Sequence, residues 1–333
     1  MTAPPRDDVD VQNRSAGGAA APVGAAGRRV ALIVNARSRR GRAGFETARR
    51  LLVARGFTIA AAHAVADPAT LPAVAADVVA QAHDLVVIGG GDGTISTIVG
   101  AFAHRDGVLG LLPLGTANSF VKALGLPLAL DAAVDVLCDG TAARVDLGVL
   151  DGRHFANAVA IGLPADIARG TPHGVKRWIG RSGYLMVAAV RLARHRAFRC
   201  TITHDGGTTT VEALDVRIAN GGFQGGVAVA PEAGVDTGDL LVRVIRGPSR
   251  RALVRTWRRA LFGRPPCPDD NLTLRSRAVA IATETPRAVS IDGEVVARTP
   301  VRAAIAPGAL RVMVPRPPTQ PAAPNGHDMV KTG

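Results

Sequence analysis

Gly89-Gly90-Gly91-Asp92-Gly93-Thr94 directly follows the apolar run Asp84-Leu85-Val86-Val87-Ile88 and leads into the helical stretch Ile95 to Ala103. The run has the length and unbroken hydrophobicity of a strand buried on both faces, as in a parallel sheet. Successive glycines leave no Cβ between the peptide N–H groups and a bound anion, so a polyphosphate can touch the main chain. The helix starting near Thr94 adds the positive end of its dipole. A carboxylate beside phosphates is repulsive unless a divalent cation lies between them or the acid holds the loop's own amides, so Asp92 serves Mg²⁺ or loop geometry. No Gly-Lys-Ser/Thr follows, which excludes a Walker A loop, and the spacing is not that of a dinucleotide fold.

Working outward, strand and helix alternate in short units. Arg29–Val34 reads as a first strand, Gly44–Arg55 as a helix, Phe57–Ala62 as a second strand, Pro68–Ala82 as a second helix and Gly107–Leu112 as a fourth strand. This alternation predicts an α/β domain with a parallel sheet covered on both faces. The first strand ends in Asn35-Ala-Arg-Ser-Arg-Arg-Gly-Arg42 at the carboxyl edge of the sheet, where open α/β sheets bind ligands. There Asn35 and Ser38 are candidates to hydrogen-bond a nucleotide, and Arg37, Arg39, Arg40 and Arg42 to meet its phosphates or simply to be solvated. The fourth strand ends in Gly115-Thr116-Ala117-Asn118-Ser119, a second polar turn in which Thr116 and Asn118 could clamp phosphate or nucleoside, or cap a helix.

From Arg144 the pattern changes. Val145–Leu150 and Arg153–Ile161 flank an Asp151-Gly152 hairpin turn. Strand-length segments recur at 198–204, 208–219, 226–230, 240–245, 271–275, 278–283, 288–291 and 301–305. Many short strands separated by turn signals predict a β-rich, sandwich-like second domain. The boundaries read as a disordered leader over 1–27, the α/β domain over 28–144, the β-rich domain over 145–315 and a disordered tail over 316–333. Two basic segments, 174–196 and 249–262, read as amphipathic helices suited to an anionic bilayer with Trp178 and Trp257 at headgroup level, or to packing on the sheet.

The chain has 333 residues, a formal charge of +13, 47% hydrophobic residues and only 3% aromatic ones. The charge implies an anionic partner: nucleotide, nucleic acid or acidic membrane. Scarce aromatics and the lack of a known motif argue against nucleic acid. Cys138, Cys200 and Cys267 are widely spaced and odd in number, as expected of free thiols in a reducing compartment. No signal peptide is read at the start, and no apolar stretch has the length of a membrane span. The expected location is cytoplasmic and peripherally membrane-associated. A homodimer is compatible with the sequence, which leaves oligomeric state open.

The stretches Asn35–Arg42, Gly89–Thr94, Leu112-Pro-Leu-Gly-Thr-Ala-Asn118, Ala230-Pro-Glu-Ala233 and Ile291-Asp-Gly-Glu294 occur in this order. Together they resemble the diacylglycerol kinase catalytic family, in its bacterial lipid kinase branch, which is itself similar to sphingosine kinases. The resemblance runs from about Arg28 to Pro315. It implies two domains, with ATP between a three-layer α/β domain and a β-rich domain carrying the lipid pocket. It also implies that Gly89 to Thr94 and Thr116 hold ATP, and that Glu294 accepts the proton of a lipid hydroxyl, with Asp292 and Asp92 as its catalytic companions. The tight Asp292-Gly293-Glu294 turn suits that role, since phosphoryl transfer asks mainly for alignment, charge neutralisation by Mg²⁺ and one well-placed carboxylate. Three positions depart from the family pattern: Ala36 replaces its proline, Ser119 its aspartate, and Thr237 precedes Gly238 where an aspartate helps bind a structural magnesium. Asp236 or Asp239 would then be the substitute ligand. Two other readings compete, a soluble kinase of the NAD kinase type and a non-catalytic module on anionic lipid.

Overall fold

The computed structural model describes residues 27–163, 165, 166, 192 and 195–316. Four parallel strands, β1 (Arg29–Asn35), β2 (Thr58–Val65), β3 (Leu85–Gly90) and β4 (Val108–Pro113), lie in the order β4-β3-β1-β2. The runs at β3 and β4 are buried at every position. Burial on both faces needs two helical layers, and the side chains sort accordingly. Helices α1 (Gly41–Ala54) and α5 (Leu130–Asp139) press Ala48, Leu52, Val134 and Leu137 onto Val30, Leu32 and Val87. On the other face α2 (Leu71–Ala80) and α3 (Asp92–Phe102) press Val78, Ile95, Ile98 and Phe102 onto Ile33, Val86 and Ile88. The three-layer α/β expectation holds. A short helix, α4 (Ser119–Ala123), follows the second turn.

The second domain is built on antiparallel pairs. Strands β5 (Thr141–Leu150), β6 (Arg153–Phe155), β7 (Ala158–Gly162), β8 (Phe198–His204), β9 (Gly207–Ala219), β12 (Leu240–Arg246), β13 (Asn271–Ser276), β14 (Ala278–Thr283), β15 (Ala288–Ile291), β16 (Glu294–Arg298) and β17 (Val301–Val314) enclose a core that includes Phe155, Val159, Val216, Val242, Ile281 and Val289. One two-residue pair, β10 (Phe223–Gln224) with β11 (Val227–Ala228), stands apart. The basic helix α6 (Arg251–Leu261) lies against β11 and β12. The other basic segment expected to be helical, 174–196, falls almost entirely outside the described residues.

Strand β16 and helix α5 are not read from the sequence, the strand expected at 226–230 shrinks to Val227–Ala228, and two further elements differ in extent. The strand expected to span 153–161 is interrupted at Ala156-Asn157, where the Asn157 carbonyl accepts the N–H groups of Asn220 and Gly221 and redirects the chain from β5 to β9. The last strand runs on to Val314 instead of stopping near Ile305, because Pro307-Gly308, a stop signal in sequence, forms a bulge in the ladder with β5. Gly308 takes φ +58 there, and its N–H donates to Asp146 Oδ1 at 2.8 Å. Past that bulge Ala309, Leu310 and Val312 join the core of the first domain, and Val312 pairs with Leu109 of β4. One continuous sheet therefore ties both halves together and fixes the geometry of the cleft between them.

Candidate active site

The turn after β3 is shaped by contacts between two loops. A Cβ on Gly90 would lie 2.5 Å from the Thr94 side chain, and one on Gly115 would lie 2.4 Å from Gly91 Cα. The loops thus meet backbone to backbone, and glycine is the residue that permits it. Gly93 is different. It has no positive φ, and an added Cβ would meet nothing within 4 Å. The fold does not require glycine at 93, whereas a bound group approaching the amides would. Asn35 joins the first loop to this one: its Nδ2 donates to Thr94 Oγ1 at 2.9 Å while its Oδ1 accepts the Arg37 N–H at 3.0 Å. Ser38 adds a buried hydroxyl with no hydrogen-bond partner. Thr116 is exposed on the second turn, as are Arg37, Arg39, Arg40 and Arg42 on the first.

Asp92 turns out to serve loop geometry. Its Oδ1 accepts the N–H groups of Ser119 at 2.6 Å and Phe120 at 3.2 Å, the two free amides that open α4. One carboxylate thereby sits at the start of its own helix α3 and caps a second. Burial pushes its pKa up, and the amide bonds oppose that rise. Asn118, assigned from sequence to the nucleotide, instead builds the turn. It adopts φ 48, ψ 50, its Oδ1 accepts the Gly115 N–H at 3.0 Å, and its Nδ2 donates to the Gly115 carbonyl at 3.2 Å. With both ends of the carboxamide engaged by Gly115, the loop claims this side chain. Ser119, where the family has aspartate, accepts the Gly226 N–H, and Lys122 Nζ donates to the Gly226 carbonyl at 2.8 Å, so β10–β11 leans on this loop.

The second domain supplies the opposing acids. Asp292 and Gly293, at φ 47 and 89, make the two-residue turn between β15 and β16. Asp292 is fastened to β7 twice: its N–H donates to the Ala158 carbonyl at 3.1 Å, and its Oδ1 accepts the Ala158 N–H at 3.2 Å. Its Oδ2 is buried and meets no well-aligned hydrogen-bond donor among the described residues. Burial first, and then the negative charge of Asp92, push this carboxyl up to about 7, with Ser96 and Asn157 nearby. Glu294 is exposed, two residues on, at the wall of a cavity of about 500 Å³ that it shares with Ser96, Thr97 and Gly100 of α3, Arg153, His154 and Val296. The middle of α3 and Glu294 therefore line one cavity. Sequence reading missed His154, which lies against the ring of His104 with centroids 5.9 Å apart and whose pKa is lowered by burial and by His104. Nothing in its neighbourhood of sequence marks it.

Residues 29–150 match the model of the diacylglycerol kinase catalytic domain, and residues 157–314 match that of the YegS C-terminal NAD kinase beta sandwich-like domain. A probable lipid kinase YegS-like from Pseudomonas fluorescens is 34% identical over 244 residues, covering 72% of this chain and 80% of that protein. The chain belongs to the YegS-like lipid kinase family. A probable lipid kinase YegS from Salmonella arizonae is 33% identical, with 70% of this chain and 78% of the relative covered. A putative diacylglycerol kinase from Bacillus anthracis shares the fold at a TM-score of 0.72 and 24% identity, covering 86% of this chain and 97% of that one.

The candidate metal ligands Asp236 and Asp239 sit in different surroundings. Asp236 is exposed, while Asp239 Oδ1 pairs with Arg275 Nη1 at 2.6 Å and accepts the Thr237 hydroxyl at 2.9 Å. A guanidinium balances the carboxylate that would otherwise attract a cation. Among the described residues no group of three or more His, Cys, Asp or Glu side chains could hold a metal ion. Asp92 and Asp292, near enough for their charges to interact, offer a smaller donor set. Two carboxylates suit Mg²⁺ that keeps its waters and takes its other ligands from phosphates, and need no all-protein cage.

Proposed function

We propose that this lipid kinase transfers the γ-phosphoryl group of ATP to a hydroxyl of a membrane lipid, diacylglycerol-like or sphingoid. The observation that carries the reading is how helix α3 joins the two halves: at its start Asp92 fastens the second turn, and further along Ser96, Thr97 and Gly100 share one cavity with Glu294. The residues present suit ATP: Gly93 leaves open space above the helix start, and Ser38 Oγ is a buried hydroxyl awaiting a partner. They suit Mg²⁺ also, since Asp92 and Asp292 are close enough for the charge of one to resist ionisation of the other. That ion would offset phosphate charge and let both acids ionise.

The roles of the chain's own groups follow. Amides of the first two turns orient the triphosphate, with the start of α3 behind them. Glu294 lines the cavity from the acceptor side and accepts the hydroxyl proton as the oxygen attacks. Asp292, held rigidly on β7, fixes the turn that presents Glu294. Peripheral attachment to a bilayer brings the acceptor to the cleft; among the described residues no helix is long and apolar enough to cross a membrane.

Purified protein incubated with labelled ATP, Mg²⁺ and vesicles containing diacylglycerols or sphingoid bases tests the reading. Transfer to lipid that falls about a hundredfold or more in Glu294→Gln supports it. Transfer to NAD in the absence of vesicles, or unreduced turnover by folded Glu294→Gln, overturns the acceptor or the base.

A further inference from the structure

Helix α6 and the residues just after it form a surface that the fold leaves uncovered. Between Ser249 and Pro266 the chain carries six arginines and no acidic residue. The inner side of the helix is settled: Ala252 and Leu253 are buried, and Trp257 packs with Leu163, Leu214 and Ile245. Trp257 therefore faces the sheet, the packing alternative of the two sequence expectations, and its indole is not available at a headgroup level. The outer side shows the reverse pattern. Phe262 is 71% exposed and Val254 48% exposed, with Arg251, Arg258 and Arg264 around them. These three arginines make no side-chain hydrogen bond or ion pair with any described residue, whereas Arg255 is matched by an acid, Asp270.

Neither half of this pattern serves folding. An exposed phenylalanine gains nothing in water, and unpaired arginines on one face repel one another. Both are accounted for by a partner that is anionic at its surface and apolar just beneath it. Nucleic acid would use the charges and leave Phe262 in water. An acidic protein would need a shaped groove, whereas a bilayer needs only a basic rim with an apolar centre.

We propose that the outer face of α6, with Phe262 as its apolar anchor and Arg251, Arg258 and Arg264 as its charges, docks the protein on an anionic bilayer. The inference builds on the lipid-acceptor reading and adds the surface that meets the membrane. The placement has a further consequence. Helix α6 lies on β11, and β10–β11 hydrogen-bonds α4 through Gly226, Ser119 and Lys122, so the docked face is separated from the nucleotide turns by one hairpin.

Co-sedimentation with vesicles of phosphatidylcholine alone or mixed with phosphatidylglycerol, without ATP and at low and high salt, tests the docking. Binding is expected only to the anionic vesicles and is lost in high salt. Each arginine near the surface is worth about fivefold in partitioning, so Arg251→Gln/Arg258→Gln/Arg264→Gln should bind about a hundredfold more weakly with an unchanged melting temperature. Phe262→Ser, at a side chain that supports no core, should weaken binding about tenfold and serves alone if the triple variant is unstable. Wild-type indifference to phosphatidylglycerol, or full binding by Phe262→Ser and by the folded triple variant, overturns the proposal. Transfer to a short-chain diacylglycerol in neutral detergent reads the kinase reaction separately: activity there without vesicle binding sinks the docking face alone, and vesicle binding with no transfer to any lipid sinks the acceptor reading.

Discussion

Replacing Asp292 by asparagine should make the protein more stable at neutral to alkaline pH while removing activity. The carboxyl is pushed up to about 7 against an ordinary 3.8, chiefly by burial. Between those values the folded state holds a proton that the unfolded chain has released. Stability must therefore fall as pH rises from about 4 to about 7, and level off beyond. At ~1.4 kcal/mol for each factor of ten, the gap amounts to at most roughly 4 kcal/mol, which local relaxation reduces to ~2–3 kcal/mol. Asparagine keeps an oxygen to accept the Ala158 N–H and has no proton to lose, so it removes the slope and leaves the turn in place. The assay is urea unfolding of wild type and Asp292→Asn at a series of pH values, scored by the difference in midpoint, with transfer to lipid measured on the same samples. The difference should be near zero at about pH 4 and grow in favour of asparagine to a plateau above about pH 7. Mg²⁺ with ATP should recover the lost wild-type stability at high pH, because a cation between the acids offsets the cost of burying two ionised carboxylates. A difference that is flat with pH, or an asparagine variant that is the less stable one at high pH, would refute the claim that burial outweighs the hydrogen bonds this carboxyl receives.

Three further outcomes follow from particular contacts. Gly115→Ala should destabilise the protein by several kcal/mol, because its Cβ would lie 2.4 Å from Gly91 Cα, whereas Gly93→Ala should leave the melting temperature unchanged and weaken ATP binding, read by calorimetry. Removing divalent metal with a chelator in the absence of nucleotide should leave the unfolding midpoint unchanged, since Arg275 occupies Asp239; Arg275→Ala, by contrast, should lower it by about 1–2 kcal/mol. Mass-spectrometric labelling with a thiol reagent should modify Cys138 and Cys267 in the native protein and spare Cys200, which is buried in the second core and whose pKa is pushed up to about 12, until denaturant is added.

What could be read from the sequence was what is encoded locally. Glycines after a buried strand, a hydroxyl or amide at a helix start and an Asp-Gly turn each state their conformation within a few residues, so both glycine turns and the Asp292-Gly293 turn stood at their observed places, while strand β16 after it was not read. Contacts made across the chain were not readable. Asp92 and Phe120 are 28 residues apart, and the pair of bonds that makes Asp92 a cap for α4 is visible only once β3 and β4 lie side by side. The same holds for Asn118, whose type is equally suited to ligand or turn until Gly115 is seen to use both ends of its amide. The partner of Asp239 was hidden for a related reason: Arg275, which pairs with it, lies 36 residues further on. Pro307-Gly308 misled in the opposite sense, since a stop signal became a bulge when Asp146, 162 residues away from Gly308, received its amide. That last bond bears on function more than its position suggests. Asp146 also accepts the Gly238 N–H at 2.7 Å, so one carboxylate joins the first strand after the boundary, the 234–240 turn and the strand that returns to β4. A cleft made of two domains works only if its walls keep their spacing, and here the spacing rests on β17 crossing from the core of one domain to that of the other.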